Sequence, residues 1–237
     1  MTRPLLPLLR QLIPHLAAVL VLLLCARLAL WQIERADHKQ TLLDQWESAP
    51  AGSLTEFTEL AQFAVAAGYG QFDLTRHVLL DNQIRNNHPG VHVFTPLSLE
   101  NGQLLMVNRG WQAWDRRSPA FPEFATPDSS IPVTGRVSDP PRVGFQLGAA
   151  APLDAESWPN LMTYYDSELI GEALGVELPD RVLLLDPDHP AHLSGDPWPT
   201  VNMGPERHIG YAVQWVGIGT AVFLIWVFLS YRAWQKR

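Results

Sequence analysis

Two long apolar runs bracket the chain. From Pro14 to Trp31 the stretch PHLAAVLVLLLCARLALW is interrupted only by His15 and Arg27, and from Ile209 to Tyr231 no side chain carries a formal charge. Each run is close to the roughly 20 apolar residues with which a helix crosses about 30 Å of hydrocarbon. The pattern therefore predicts transmembrane helices over 12–32 and 208–231. The first is read as a retained anchor rather than a cleaved leader, because Leu28, Leu30 and Trp31-Gln32-Ile33 offer no small-residue exit site. Beyond it the helical period continues through IERADHKQTLLDQW, where Ile33, Ala36, Leu42, Leu43 and Trp46 recur at compatible spacings.

Between the runs the period changes. Leu54–Ala67 reads as a short helix, with Ser53 or Thr55 as cap and Gly68 as stop. After Gly70 come strand-like runs bounded by turn residues: QFDLTRHVLLD, VHVFTPLSL and QLLMVNRGW. The last two flank Glu100-Asn101-Gly102, residues that tolerate positive φ, and so predict an antiparallel hairpin. The Pro- and Ser-rich segment 117–132 reads as a loop running into the strand IPVTGRVSD, and Pro140–Pro152 reads as a second loop. Leu161–Gly175 is expected to be a helix and RVLLLD, 181–186, a buried strand. The fold class is then membrane α+β: two transmembrane helices flanking an antiparallel β-rich extracytoplasmic domain with a few helices, either an α+β or a small barrel-like arrangement. Its expected divisions are a tail over 1–11, helices over 12–32 and 208–231, a domain over 33–207 and a tail over 232–237.

Charge gives these segments an orientation. All 24 acidic residues lie between Glu34 and Arg207, together with 11 of the 17 basic ones, whereas Arg3, Arg10, Arg27, Arg232, Lys236 and Arg237 lie outside without an acidic neighbour. Basic ends stay inside, and a long loop is translocated regardless of its charge. Both termini are therefore expected in the cytoplasm and the domain in the periplasm, as a multi-pass protein of a bacterial inner membrane in contact with lipid. An acidic exported domain has nothing to neutralise phosphates, which excludes nucleic acid as a partner. The one cysteine, Cys25, lies in the first apolar run, so the domain forms no internal disulfide. No G-x-S-x-G, P-loop, Rossmann or H-E-x-x-H motif occurs, and the chain is read as a non-enzyme. A tethered hydrolase using scattered Asp and His residues would be active without either helix.

The chemistry concentrates where the second run begins, in RHIGYAVQW. Gly204-Pro205-Glu206 places Pro in the first helical turn and His208 about one turn inside, at the positive end of the helix dipole. That field favours the neutral imidazole, the form that ligates iron, and Arg207 adds a cation beside it. A haem uses both, its iron taking an axial His and its propionates a positive charge. An ordinary polar flank to a membrane helix accounts for the same two residues. Ala212, Trp215, Gly219 and Val222 share the His208 face and suit either a flat macrocycle or close helix packing. Gln214 lies about 9 Å below His208 and Arg27 about 6 Å below Trp31, so Arg27 is expected to face the second helix and meet Gln214, with snorkelling as the alternative. His189 and His192 stand near Asp186 and Asp188, but Pro187 and Pro190 deny them a helical ligand register. His77 and His92 are expected as cross-strand neighbours, and Arg109 of NRGW as a partner for carboxylates.

WQIER with Lys39, HPGVHVFTPL, LLMVNRGW and RHIGYAVQW follow one another in an order that resembles the surfeit locus protein family of cytochrome c oxidase assembly factors, over nearly the whole chain. The resemblance implies an inner-membrane protein that assists insertion of haem a into oxidase subunit I. It also implies a transient haem a site with His208 as axial iron ligand and Arg207, Gln214, Trp215 and Arg27 around it, and haem a synthase as a second partner. A scaffold that stabilises subunit I without touching haem is the alternative.

Overall fold

The computed structural model describes residues 5–141, 148, 151–194 and 196–236, with side chains from 12 onward. It has two compact units, Met1–Gln45 with Pro199–Arg237, and Trp46–Trp198. The domain thus begins at Trp46 rather than at 33, because helix α1 runs unbroken from Leu5 to Glu47. Its 43 residues make a rod of about 64 Å.

In the first unit, α1 packs against helix α3, Pro205–Gln235. Less exposed positions of α1 include Ala18, Leu22, Cys25, Ala29, Gln32, Ala36 and Lys39, a stripe alternating three and four residues apart. Those of α3 are His208, Ala212, Trp215, Gly219, Val222 and Trp226, with the same alternation. This is the seam of two helices meeting at a shallow angle. Contacts run in opposite directions along the two chains: Gln32 with His208, Cys25 with Gly219, His15 with Trp226. The helices are therefore antiparallel. A Cβ on Gly219 would stand 3.3 Å from that of Cys25, so the small residue sets the close approach. Outside the seam the surface is Leu, Val, Ile and Phe, exposed in the protein itself. With mean hydropathies of 2.2 and 2.0 in their most apolar windows, both helices have the length and composition to cross a membrane.

The second unit is a β-barrel. Strands β1 (Ala51–Ser53), β2 (Val65–Phe72), β3 (Val78–Leu80), β4 (Gly90–Leu99), β5 (Leu104–Ala113), β6 (Ile131–Ser138), β7 (Asn160–Met162) and β8 (Val182–Leu185) form one sheet. Its order is β1-β2-β6-β8-β5-β4-β3-β7, and a further β2–β4 pairing, Gly70 opposite Leu99, closes β2, β6, β8, β5 and β4 into a ring. The expected hairpin is β4–β5, turning at Gly102 with φ +84°. Parallel pairs also occur, β5 with β8, β3 with β7 and β1 with β2. Alternation along β5 sends Leu105 and Val107 into the barrel with Phe72, Leu97, Val133, Val137, Leu183 and Leu185. Met106 points the other way, into a second core with Val78, Phe94 and Ile170. Helix α2 (Ser167–Leu174) covers that core, capped by the Asp166 carboxylate and ended by Gly175 at φ +70°.

Two expected helices are corrected. Leu54–Ala67 holds a single 3-10 turn, Leu54–Glu56, followed by the start of β2. Ser53 does cap it, accepting from the Thr55 amide. The Ala- and Gly-rich strand has little β propensity, but the tight ring demands small residues: a Cβ on Gly70 would come within 2.8 Å of Leu97 Cγ. Likewise, Leu161–Gly175 begins as strand β7 and becomes helix only at Ser167. Of the expected loop Pro140–Pro152, residues 142–147 and 149–150 lie outside the described residues.

Candidate functional site

Pro205 occupies the first position of α3 after the Gly204 cap, and Glu206 supplies an acidic side chain to the first turn. His208 follows one turn in, on the seam. It is 8% exposed, and so is Gln32 on α1. His208 Nδ1 lies 2.8 Å from Gln32 Oε1. A carbonyl oxygen only accepts, so Nδ1 carries the proton and donates it; of the two neutral tautomers this is the one whose lone pair sits on Nε2. Below the ring the seam continues with Ala212, half-buried Trp215 and Gly219. An imidazole able to present Nε2, with a flat aromatic and two small residues beside it, has the chemistry to hold a haem iron. Arg207, exposed at the helix start, is the nearby cation.

Two of the expected site residues point elsewhere. Arg27 does not face the second helix: it lies exposed, 3.8 Å from Glu34, seven residues further along α1. Gln214 is also exposed, on the side of α3 turned away from α1, so the two do not meet. Axial rise gives depth, whereas the turn of about 100° per residue gives direction, and it turns both side chains off the seam. The residue that sequence reasoning missed is Gln32. Its signal was present, since it falls seven residues after Cys25 and three after Ala29, on the stripe that faces α3. At the other end of the pair the Trp226 indole donates to His15 Nδ1 at 2.8 Å.

In the barrel the polar motif NRGW closes one end. Arg109 follows Leu105 and Val107 on the inward face and is fully buried. Its guanidinium donates to the Ala191 carbonyl (3.0 Å), the Thr126 hydroxyl (2.8 Å) and the Ala125 carbonyl, between the rings of Phe72 and Phe124. The expected carboxylate pairing is thus replaced by carbonyls, and burial lowers the Arg109 pKa to about 10. The Asn108 side chain bonds the His92 ring and accepts from the Gly110 amide, and Trp111 donates to the Gln83 carbonyl. Gly110, at φ +105°, leaves room for His192, which a Cβ would meet at 2.8 Å. His77 and His92 are not neighbours, because the β3–β4 register puts His92 opposite Leu80 and brings the His77 ring to the Thr95 hydroxyl. His189 donates to the Pro132 carbonyl and accepts from the Ala191 amide. These groups fasten loops to the barrel.

No curated protein matches the chain. The family model that does match, described as SURF1 family, covers residues 19–220, from the first apolar run through the barrel and past the His208 seam. A match over that much of the sequence, in a protein with two membrane-length helices around a β-barrel, places the chain in the SURF1 family of cytochrome c oxidase assembly factors.

Proposed function

We propose that this assembly factor holds haem a transiently at the outer end of α3, with His208 as axial ligand, and passes it to subunit I of cytochrome c oxidase. One observation carries the reading: the buried His208 ring is tied through Nδ1 to Gln32 Oε1, the arrangement in which the neutral tautomer presents Nε2 to a metal. The group itself would supply an iron centre seeking an axial nitrogen. The chain's own residues provide that nitrogen, an apolar wall at Trp215 and Ala212, and a cation at Arg207 for a propionate. His208 would hold the group from a seam of only two helices, an open setting that suits a carrier that must release its cargo. Charge sorting supports an inner-membrane placement with both ends cytoplasmic and residues 46–198 periplasmic. The partners proposed are subunit I, haem a synthase as donor, and membrane lipid.

Reconstitution of the purified full chain with haem a tests this, by comparing the absorption spectra of wild type and His208→Ala. The characteristic bands should be lost or shifted in the variant; identical bound spectra would remove His208 as ligand. A second reading is a scaffold that packs on subunit I without haem. It is favoured by the face of α3 opposite the seam, where Gly210 and Gly217 have open space around them beside exposed Gln214. Full oxidase assembly by His208→Ala would select it.

A further inference from the structure

Gln32 on α1 and His208 on α3 are separated by 176 residues, yet they make the one hydrogen bond of the His208 ring among the described residues. A neutral imidazole has two tautomers, and only the one protonated at Nδ1 offers Nε2 to a metal. In water the choice is made by solvent. Where both partners are buried between packed helices no water competes, and a polar group without a partner is costly. Whatever accepts from Nδ1 therefore decides which nitrogen is basic and fixes the plane of the ring.

We infer that Gln32 is the positioning residue of the site: its Oε1 holds His208 in the Nδ1-protonated tautomer and aims Nε2 at the haem iron. This rests on the haem reading above for the identity of the metal, but the hold on the ring is a property of the chain alone. Three features support the assignment. Both residues are 8% exposed, so the bond is sheltered. Both lie on the helix seam, where Ala29 and Ala36 on one side and Ala212 on the other bring the backbones close. Finally, the acceptor is a neutral amide rather than a carboxylate, so it orients the ring without driving it towards imidazolate. A histidine backed by an amide binds iron less tightly than one backed by a carboxylate, as a transfer protein requires.

The test uses the full chain in lipid nanodiscs with ¹⁵N-labelled histidine, the His208 signals being assigned by their loss in His208→Ala. In wild type without haem, the proton should sit on Nδ1. In Gln32→Leu, which keeps α1 apolar and helical, it should move to Nε2, and the dissociation constant for haem a should rise about 10- to 100-fold, as for other residues that orient metal-bound histidines. Gln32→Glu keeps an acceptor oxygen in either protonation state, so it should return the proton to Nδ1 and bind haem a at least as tightly as wild type. A wild-type ring protonated at Nε2, or a Leu variant with unchanged tautomer and haem affinity, would overturn the inference. Wild type with the expected tautomer but no bound haem a would sustain the hold of Gln32 on the ring and refute the haem reading instead.

Discussion

His77 in the barrel and His208 in the helix pair are both buried, and the use each makes of its ring differs. His77 spends both nitrogens, donating from Nε2 to the Leu74 carbonyl and accepting at Nδ1 from Thr95. Arg109 likewise gives its guanidinium to two carbonyls and a hydroxyl. His208 spends one nitrogen and keeps the other. In a folded interior, polar groups whose bonding capacity is filled are structural fasteners, whereas a ring held on one side with its other nitrogen in reserve is equipped to take something. The contrast gives the barrel's polar groups a structural role and makes the seam the place for the proposed chemistry.

The largest blow to the barrel should come from Arg109→Met. Two carbonyls and a hydroxyl each lose a donor at about 1–3 kcal/mol, partly offset by the removal of a buried charge, for a net loss of about 3–4 kcal/mol in chemical unfolding of the full chain. The His208 tautomer should not change; if it did, the two regions would not be separable. A smaller effect, confined to the seam, is expected from Gly219→Leu, whose side chain must displace Cys25. Overpacking of about 1–3 kcal/mol should raise amide exchange in α3 at least several-fold and leave the barrel unmoved. Gly217→Leu, with open space around its Cα, is the control that should do neither. The smallest effect is on pH. Burial pushes His192 down to about 4 from its ordinary 6.5, opposed by Asp186 and helped by His92, His189 and Arg109. As pH falls through 6.5 the unfolded chain takes up a proton that the native barrel refuses until about pH 4, so stability should decline across that window and level off below it. After screening, the loss is about 1 kcal/mol. His192→Gln should flatten the slope without abolishing it, since burial also lowers His92 and His77.

What the sequence made legible follows the same division. The hairpin was readable because Glu100-Asn101-Gly102 fixes a turn between two apolar runs, and the seam because His208, Ala212, Trp215, Gly219 and Val222 keep a single helical face. Strand β2 was not, since its Ala and Gly residues answer to the crowding of a closed ring, which only the tertiary structure imposes. The role of Arg109 was misread for a related reason: an acidic composition suggests carboxylate partners, but the loop carbonyls that reach the guanidinium arrive from positions 125 and 191. Gln32 was visible in the motif WQIER as a landmark. Its function required knowing which α1 positions meet the start of α3.

The helix pair is pinned at both ends by a histidine, His208 to Gln32 and His15 to Trp226. Eighteen residues of α3 separate the pins, about 27 Å along the axis, close to the thickness of a bilayer's oily layer. Such a pair works as a gauge. In a much thicker sheet of lipid one pin would be drawn into oil, and in a thinner one the rods would have to lean. The depth at which Nε2 is offered is thereby set by the membrane as much as by the protein.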